Sequence, residues 1–126
     1  AQAVLFALGG ARLGLLLSEV RAVVPLGRLS RVPLAPVGLL GMQGHRGRAL
    51  AVADVRMLGL APGAERGALP VGAQVLVLDV GRADLGIGVE RVLDITEAPG
   101  EVTLLSALGV AEAVRAACAK AAPPAS

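Results

Sequence analysis

The chain has 126 residues, of which 55% are hydrophobic, and it carries a net charge of +2 with one Phe and no Trp or Tyr. This length predicts one domain with a substantial core, and the abundance of Leu and Val excludes disorder for most of the chain. The small net charge and the missing base-stacking aromatics argue against nucleic acid as a partner, and charges or glycines interrupt every apolar run too early for membrane insertion by a helix.

Short apolar runs separated by turn formers predict β-strands in the first quarter of the chain. Residues 4–8 and 13–17 are continuous apolar runs joined by a glycine-containing turn at 9–12, which predicts a hairpin. Because these runs do not alternate with polar residues, we expect strands covered on both faces. Residues 18–24 contain three valines, and β-branched side chains favour a further strand over the helical turn that the spacing also allows.

The stretch from 36 to 60 predicts a second hairpin with a basic tip. Apolar runs at 37–42 and 49–52 flank the polar residues 44–48, where Gly44 and Gly47 can adopt positive φ angles. After the hairpin, Asp54 can cap a short helical turn that Gly59 can close. Arg46 lies between the two glycines, which would expose its guanidinium to a partner, whereas Arg48 is expected to be a solvated residue of the tip.

The remaining sequence predicts a mobile loop, a second β-rich half and a C-terminal helix. Turn formers fill 61–70, a buried strand follows at 74–80, and 85–95 returns after a turn at 81–84. Gly86 and Gly88 inside a strand indicate a bulge, a sharp bend or close approach by another backbone. From Thr103 onwards the spacing is helical, with Gly109 expected to end the first turn and residues 123–126 expected to form a disordered tail.

The residues predict a binding protein without catalytic residues, cofactors or metal. The sequence contains no G-x-S-x-G, C-x-x-C, P-loop or H-x-x-x-H motif. His45 could act as a general base with Asp54, but no nucleophile lies nearby in sequence and one histidine cannot hold a metal. The single cysteine, Cys118, is expected to be a small buried residue, and its lack of a disulfide partner fits a reducing cytoplasm.

Three stretches resemble the CheW-like adaptor domain. Residues 35–60, which include Ala35-Pro36, Gly41, Arg46-Gly47 and Asp54-Val55-Arg56, resemble the family pattern A-P-x-x-[IV]-[RK]-G-x-x-N-L-R-G-x-x-x-P-[IV]-x-D-L-R. Residues 5–15 resemble its opening F-x-L-G…[YF]-[AG]-[IVL], and residues 75–92 resemble V-V-x-V-x-x-G…G-[IL]-x-V-D-x-V. The chain also resembles short CheW-like proteins such as FrzB of the myxobacterial Frz system.

The resemblance implies a mainly β fold and a role in chemosensory signalling. Residues 1–122 would form two five-stranded SH3-like β-barrels packed side by side, with a C-terminal helix in place of part of the usual ending. The protein would be a cytoplasmic adaptor at chemosensory arrays that binds the signalling tip of a methyl-accepting chemoreceptor and links it to the regulatory domain of a CheA-type histidine kinase.

The resemblance also implies a receptor-binding site in a groove between the barrels. Carried over by position, this site consists of Val20, Ala22, Gly41, Arg46 and Gly47, where Ala22 stands in place of the family's glutamate.

Departures from the family pattern predict that kinase binding is weakened or lost. Leu40 replaces the usual basic residue before Gly41, and the family's final strand is expected to be missing after Ile95. The alternatives are an ordinary coupling protein that binds both receptor and kinase, or a generic all-β interaction module.

Overall fold

The computed structural model describes residues 1–121, and the tail predicted at 123–126 lies outside them. Within this part of the chain there are nine β-strands, one short 3-10 helix at Leu17–Glu19 and one α-helix. The strands are β1 (Ala3–Leu8), β2 (Ala11–Leu16), β3 (Val20–Pro25), β4 (Leu39–His45), β5 (Arg48–Ala53), β6 (Gln74–Leu78), β7 (Leu85–Val89), β8 (Arg91–Thr96) and β9 (Thr103–Leu105), and α1 spans Ala107–Ala121.

The strands form two sheets, as the predicted two-barrel fold requires. The first sheet has four strands in the order β8-β1-β2-β9, and the second has five in the order β3-β6-β7-β5-β4. After β3, Ser30 pairs with Met42 of β4 through two backbone hydrogen bonds of 2.7 and 2.9 Å, which brings the two edges of the second sheet together. The mainly β prediction is confirmed, although the first sheet has four strands rather than five.

One hydrophobic core joins the two sheets. The larger buried cluster combines Phe6 and Leu15 of the first sheet with Leu76 and Ile87 of the second. Every residue of β7 is buried, as is nearly all of β1, because these strands are covered on both faces. By contrast, β3 alternates between half-buried and exposed residues, which is the pattern of a strand with one wet face.

The turn between β1 and β2 is a junction between distant parts of the chain. The N–H of Gly9 donates to Oε1 of Glu90 at 2.6 Å, where the chain crosses from β7 in the second sheet to β8 in the first. The carbonyl of Gly9 accepts from the N–H of Glu65 at 2.7 Å in the loop that follows the central hairpin. The φ angle of Gly9 is +56°, and a Cβ there would collide with the backbone of Glu65.

The glycines of β7 permit close packing, as their position in a strand predicts. A Cβ on Gly86 would lie 2.5 Å from Val75, and one on Gly88 would lie 2.7 Å from Leu69. Both side chains would have to move to admit a Cβ, so the close approach is by side chains and not, as expected, by another backbone.

The C-terminal region differs from the sequence-based expectation in three ways. The predicted loss of the final strand is wrong, because β9 pairs in parallel with β2, and Thr103 therefore lies in a strand rather than in a helix. Gly109 lies within the first turn of α1 and does not end it. Cys118, expected to be buried, is exposed.

The helix packs on the shared core through residues at helical spacing. Ala107 and Val110 are buried, and Ala111 and Val114 pack against the same cluster, which gives the i, i+3, i+4, i+7 pattern of one helix face. Two side chains satisfy its first donors: Oε1 of Glu19 accepts from the N–H of Ala107 at 2.8 Å, and Oγ of Ser106 accepts from the N–H of Gly109 at 3.1 Å.

Candidate protein-interaction site

The basic tip of the central hairpin is a tight two-residue turn. His45 pairs with Arg48, so that β4 and β5 are joined by Arg46 and Gly47 alone. Both turn residues have positive φ angles, +51° for Arg46 and +75° for Gly47, as a type I′ turn requires. The expectation that Gly44 takes part in the turn is wrong, because Gly44 belongs to β4.

Arg46 occupies a backbone conformation that its side chain disfavours. A left-handed conformation costs an L-residue about 1–2 kcal/mol, and Asn or Gly is the usual choice at this position of the turn. Arg46 is exposed, and within residues 1–121 no carboxylate forms an ion pair with it. The backbone of Arg46 is therefore held in this conformation at some cost in stability, with its side chain exposed.

A pocket of about 490 Å³ lies beside this turn. It is bordered by the hairpin tip, by β3 and β6, and by the turn between β6 and β7. Its lining residues are Arg21, Ala22, His45, Arg46, Arg48, Val77, Gly81, Arg82 and Asp84. Its lining is thus mainly basic, with Ala22 and Val77 as the apolar part.

Two of the four arginines at the pocket are fixed by ion pairs. Nε of Arg48 lies 2.8 Å from Oδ2 of Asp84. Nη2 of Arg21 lies 3.0 Å from Oδ1 of Asp79 and donates to the carbonyl of Gly81 at the same distance. Both pairs tie neighbouring elements to the turn after β6, and they leave Arg46 and Arg82 as the pocket's arginines without an ion pair in residues 1–121.

The structure brings together some of the residues predicted for the site and separates others. Arg46 and Ala22 line the same pocket, and Gly47 lies beside Arg46 in the turn. Val20, at the start of β3, instead packs against the shared core. Gly41 is buried within β4 with a φ angle of +152°, and a Cβ there would lie 2.7 Å from the carbonyl oxygen of Ser30, so packing accounts for this glycine.

The expected groove between the two barrels does not join Arg46 to Ala22. The pocket that contains both is built from the second sheet and its turns alone. The sequence did not predict that Arg21 and Arg82 belong to this pocket. Arg21 lies in β3 and Arg82 in the turn between β6 and β7, about 25 and 36 positions from Arg46 along the chain. The only signal for Arg82 was a charged turn between two buried strands, which is a common and unspecific pattern.

Asp54, considered above as a partner for His45, is occupied by Arg56. The carboxylate of Asp54 accepts from Nε and Nη2 of Arg56 at 3.0 and 2.8 Å, and it also accepts from the backbone N–H of Arg56 at 3.0 Å. Hydrogen bonding to Asp54 raises the pKa of Arg56 above its usual value, although burial opposes this, and the side chain therefore stays charged at all ordinary pH values. The helical turn after Asp54 and the positive φ of Gly59 are confirmed.

The same arginine anchors the loop that follows the hairpin. Nη1 of Arg56 donates to the carbonyl of Glu65 at 2.7 Å, and Nη2 donates to the carbonyl of Gly67 at 2.8 Å. The side chains of Asp54 and Arg56 are only 5% and 4% exposed, so their ion pair is shielded from water, and the two carbonyl contacts are partly buried. Loop 61–70 is therefore held at two carbonyls and at the Glu65 N–H, which argues against the mobility expected for it.

The comparisons with known proteins identify the family. A model of the CheW-like domain matches residues 2–119. The chain belongs to the CheW-like family. The resemblance given by residues 35–60 is thereby confirmed, and the two-sheet architecture is that of the family.

One solved structure similar to this CheW-like chain is the scaffolding protein TtCheW from Thermoanaerobacter tengcongensis. The TM-score is 0.66 at 20% sequence identity, and the match covers 75% of this chain and 63% of TtCheW. At this identity the likeness concerns the fold, and this chain spans less than two-thirds of the length of TtCheW. No curated protein matches the sequence.

Membership of the family gives the general role of the chain. CheW-like domains are scaffold and adaptor domains of chemotaxis signalling, and residues 2–119 form such a domain. In residues 1–121 no helix has the length and apolar character needed to cross a bilayer, and no three potential metal ligands cluster together.

Proposed function

We propose that this CheW-like chain is a cytoplasmic adaptor that binds the signalling tip of a chemoreceptor through the pocket beside Arg46. The observation that supports the proposal most strongly is the position of Arg46 at the edge of a pocket, where its backbone has a disfavoured conformation and its guanidinium has no ion pair among residues 1–121. Residues kept in such conformations cluster at functional sites, because the surrounding structure must maintain them.

The hairpin restrains the backbone of Arg46 at an exposed position, which suits recognition rather than chemistry. A two-residue turn between paired strands limits the movement of the arginine backbone, so less entropy is lost when a partner binds. A guanidinium offers planar, forked donors to carboxylates and carbonyls of a partner. Among residues 1–121, His45 is the only histidine, and its predicted acid–base partner Asp54 is bound by Arg56. These facts support binding as the function of this surface.

The variant Arg46→Asn tests the proposal without removing the turn. Asn tolerates the left-handed conformation well, so the hairpin should keep its stability while the guanidinium is lost. We expect binding to the cytoplasmic hairpin tips of the chemoreceptors encoded in the same genome to weaken about tenfold, as the loss of one charge-assisted hydrogen bond implies. Arg12→Gln, at an exposed position of β2 in the other sheet, is the matched control.

Two results would contradict this assignment. Equal affinity of the Arg46→Asn variant and the wild type would remove Arg46 from the site. A wild-type chain that binds none of the receptor tips in isothermal titration calorimetry would refute the receptor-binding function itself.

The link to a CheA-type kinase is the second part of the proposal. Weakened binding to the kinase regulatory domain was predicted from Leu40 and from a missing final strand, and β9 removes the second reason. Leu40 remains as support: it packs against a second, smaller cluster of buried residues in the second sheet, which includes Leu50 and Val75, and it offers no charge where the family pattern has a basic residue. A titration with the isolated regulatory domain tests this, and tight binding would instead indicate an ordinary coupling protein.

A further inference from the structure

We infer that the end of the second sheet opposite the Arg46 pocket attaches the domain to an anionic lipid surface by inserting aliphatic side chains that its turns expose. These side chains, here called the apolar end, are Leu34, Val37, Met57 and Val71. They are four of the eight large hydrophobic side chains that are exposed among residues 1–121. The inference does not depend on the proposed receptor binding, since it concerns a different surface.

The strand registers place the apolar end beyond one end of the second sheet. The last residue of β3 pairs with the first residue of β6, and the first residue of β4 pairs with the last residue of β5. Leu34 and Val37 lie in the loop before β4. Met57 follows β5, and Val71 precedes β6. The hairpin tip with Arg46 lies at the other end of β4 and β5.

Two of the turns at this end repeat the sequence Pro-Val-Gly, at 36–38 and 70–72. The glycines have φ angles of +100° and +87°, and each proline carbonyl accepts from the N–H of the residue after the glycine, at 3.2 and 3.1 Å. This is the pattern of a type II turn, with glycine at its third position. The valine then lies at the outer corner, where Val37 is 67% exposed and Val71 is fully exposed.

Leu34 is held in a backbone conformation that leucine disfavours. Its φ angle is +57°, at the third position of a turn that the N–H of Ala35 closes by donating to the carbonyl of Val32 at 3.1 Å. Gly or Asn is the usual residue at that position. The side chain of Leu34 is 83% exposed, so packing within the domain does not offset the strain. Strained residues of this kind cluster at functional sites.

The backbone of these turns can leave water at little cost. A proline, which has no N–H, precedes each of Leu34, Val37 and Val71. The N–H that closes each of their turns is bonded within the turn, and the carbonyl of Gly38 accepts from the N–H of Asp54 at 2.7 Å. Aliphatic tips with few free hydrogen-bonding groups suit lipid better than a protein interface, which carries about one hydrogen bond per 100–200 Å².

Two arginines beside the apolar end provide attraction to lipid phosphates. Residues 20–53 contain five arginines and no carboxylate. Among these, Arg28 and Arg31 are exposed, and within residues 1–121 neither forms an ion pair. Arg31 precedes Leu34 by three positions, which an extended chain spans in about 10 Å. Apolar surfaces enter the boundary between headgroups and acyl chains by about 5–10 Å, so Arg31 can reach the phosphates while Leu34 lies below them.

Co-sedimentation of the whole chain with lipid vesicles tests the inference. The probes are vesicles of phosphatidylcholine alone and vesicles with equal parts of phosphatidylcholine and phosphatidylglycerol. We expect at least about tenfold tighter binding to the anionic vesicles, since each basic residue near an anionic surface contributes about a fivefold factor. Binding should weaken at 1 M NaCl, where the Debye length is about 3 Å.

The variant Leu34→Asn separates binding from folding, because the two should not fall together. Asn tolerates the left-handed conformation, so the midpoint of urea unfolding should stay the same or rise. Affinity for the anionic vesicles should fall about tenfold, because the leucine side chain is lost. Arg28→Gln and Arg31→Gln should each weaken binding about fivefold.

The matched control is Leu108→Gln. Leu108 is an exposed leucine at the start of α1, where Glu19, which precedes β3, caps the helix at the other end of that strand. This variant should change the affinity for anionic vesicles by less than about twofold, since it lies far from the inserted turns.

A single indole reports which surface enters the lipid. The chain has no Trp, so the variants Val71→Trp and Leu108→Trp each contain one. With anionic vesicles, the emission of the Val71→Trp variant should shift to shorter wavelength and be quenched by brominated acyl chains. The emission of the Leu108→Trp variant should not change.

Several results would overturn the inference. These are a wild type that does not sediment with anionic vesicles, equal affinity of the Leu34→Asn variant, and quenching of Val71→Trp no greater than that of Leu108→Trp. A fall in the unfolding midpoint with Leu34→Asn would also overturn it, since the side chain would then serve the fold. If Leu34→Asn abolishes self-association or binding to the kinase regulatory domain while the vesicles bind nothing, the occupant is a protein and the inference fails.

Discussion

Replacing Arg56 with Met should destabilise the whole domain, although Arg56 lies outside the proposed binding pocket. Methionine matches the length and apolar character of the arginine stem, so the change removes mainly the guanidinium. The guanidinium donates five hydrogen bonds, three buried ones to the Asp54 carboxylate and two partly buried ones to the carbonyls of Glu65 and Gly67. The variant leaves the buried Asp54 carboxylate without its counter-charge, with only the backbone N–H of residue 56 still donating to it, and it leaves two backbone carbonyls short of a partner.

The expected loss follows from this burial. Breaking a buried ion pair by removing one partner costs about 3–5 kcal/mol, which is a large part of the roughly 5–15 kcal/mol that stabilises a typical domain. At about 4 °C per kcal/mol for a domain of this size, the midpoint of thermal unfolding should fall by roughly 12–20 °C. The double variant Asp54→Leu/Arg56→Met should lose less than Arg56→Met alone, because no unpaired charge remains.

Urea unfolding followed by circular dichroism measures these free energies. The matched control is Arg48→Met, which breaks the exposed pair with Asp84 and should cost less than about 1 kcal/mol. If Arg56→Met proves too unstable to purify, Arg56→Lys keeps the charge but cannot reach all the acceptors, and an intermediate loss is expected. Hydrogen exchange at the Glu65 amide should accelerate more than exchange in β7. A loss of under 1 kcal/mol for Arg56→Met, or a loss equal to that of Arg48→Met, would refute the reasoning.

Three further predictions concern the junction, the helix start and the hairpin turn. In urea unfolding, Gly9→Ala should lower the free energy of unfolding by at least about 2 kcal/mol more than Gly10→Ala. Both glycines have positive φ angles, but only a Cβ at position 9 would meet the backbone of Glu65. Equal losses would show that the loop at Glu65 moves to admit the Cβ. Glu19→Ala and Ser106→Ala should each cost about 1 kcal/mol, since each leaves a donor of the first turn of α1 without its acceptor, and unchanged unfolding midpoints would count against the capping role. Gly47→Ala should destabilise the hairpin by about 1 kcal/mol while Arg46→Asn should not, and a loss with Arg46→Asn as large as that with Gly47→Ala would argue against the type I′ assignment.

Much of the fold could be predicted from local patterns. Apolar runs bounded by glycine located β1, β2 and the strands of the central hairpin, because a buried strand needs continuous apolar character and a reversal needs turn formers. Asp54 and Gly59 marked the capped turn for the same local reason. The order of these motifs identified the family, which no single motif could have done.

What could not be predicted depends on contacts between distant residues. The strand β9 has only three residues, and its leucines share their spacing with the helix that follows, so only its pairing with β2 reveals it. Of the residues predicted for the site, Arg46 and Ala22 line one pocket, whereas Arg82 reaches that pocket through the pairing of β6 with β7 and gave no local signal. The positive φ angle of Arg46 could not be predicted either, because Gly44 and Gly47 were the obvious residues to adopt positive φ angles in this turn.

The junction at Gly9 has a consequence for how this molecule can move. Through one turn residue, the amino-terminal hairpin is bonded both to the loop beyond the central hairpin and to the crossover between the sheets. A hinge motion between the two sheets would break the hydrogen bonds of Gly9 and would expose the hydrophobic core that the sheets share. We therefore expect the two sheets to move together as one rigid body. Heating should unfold both of them in a single cooperative transition.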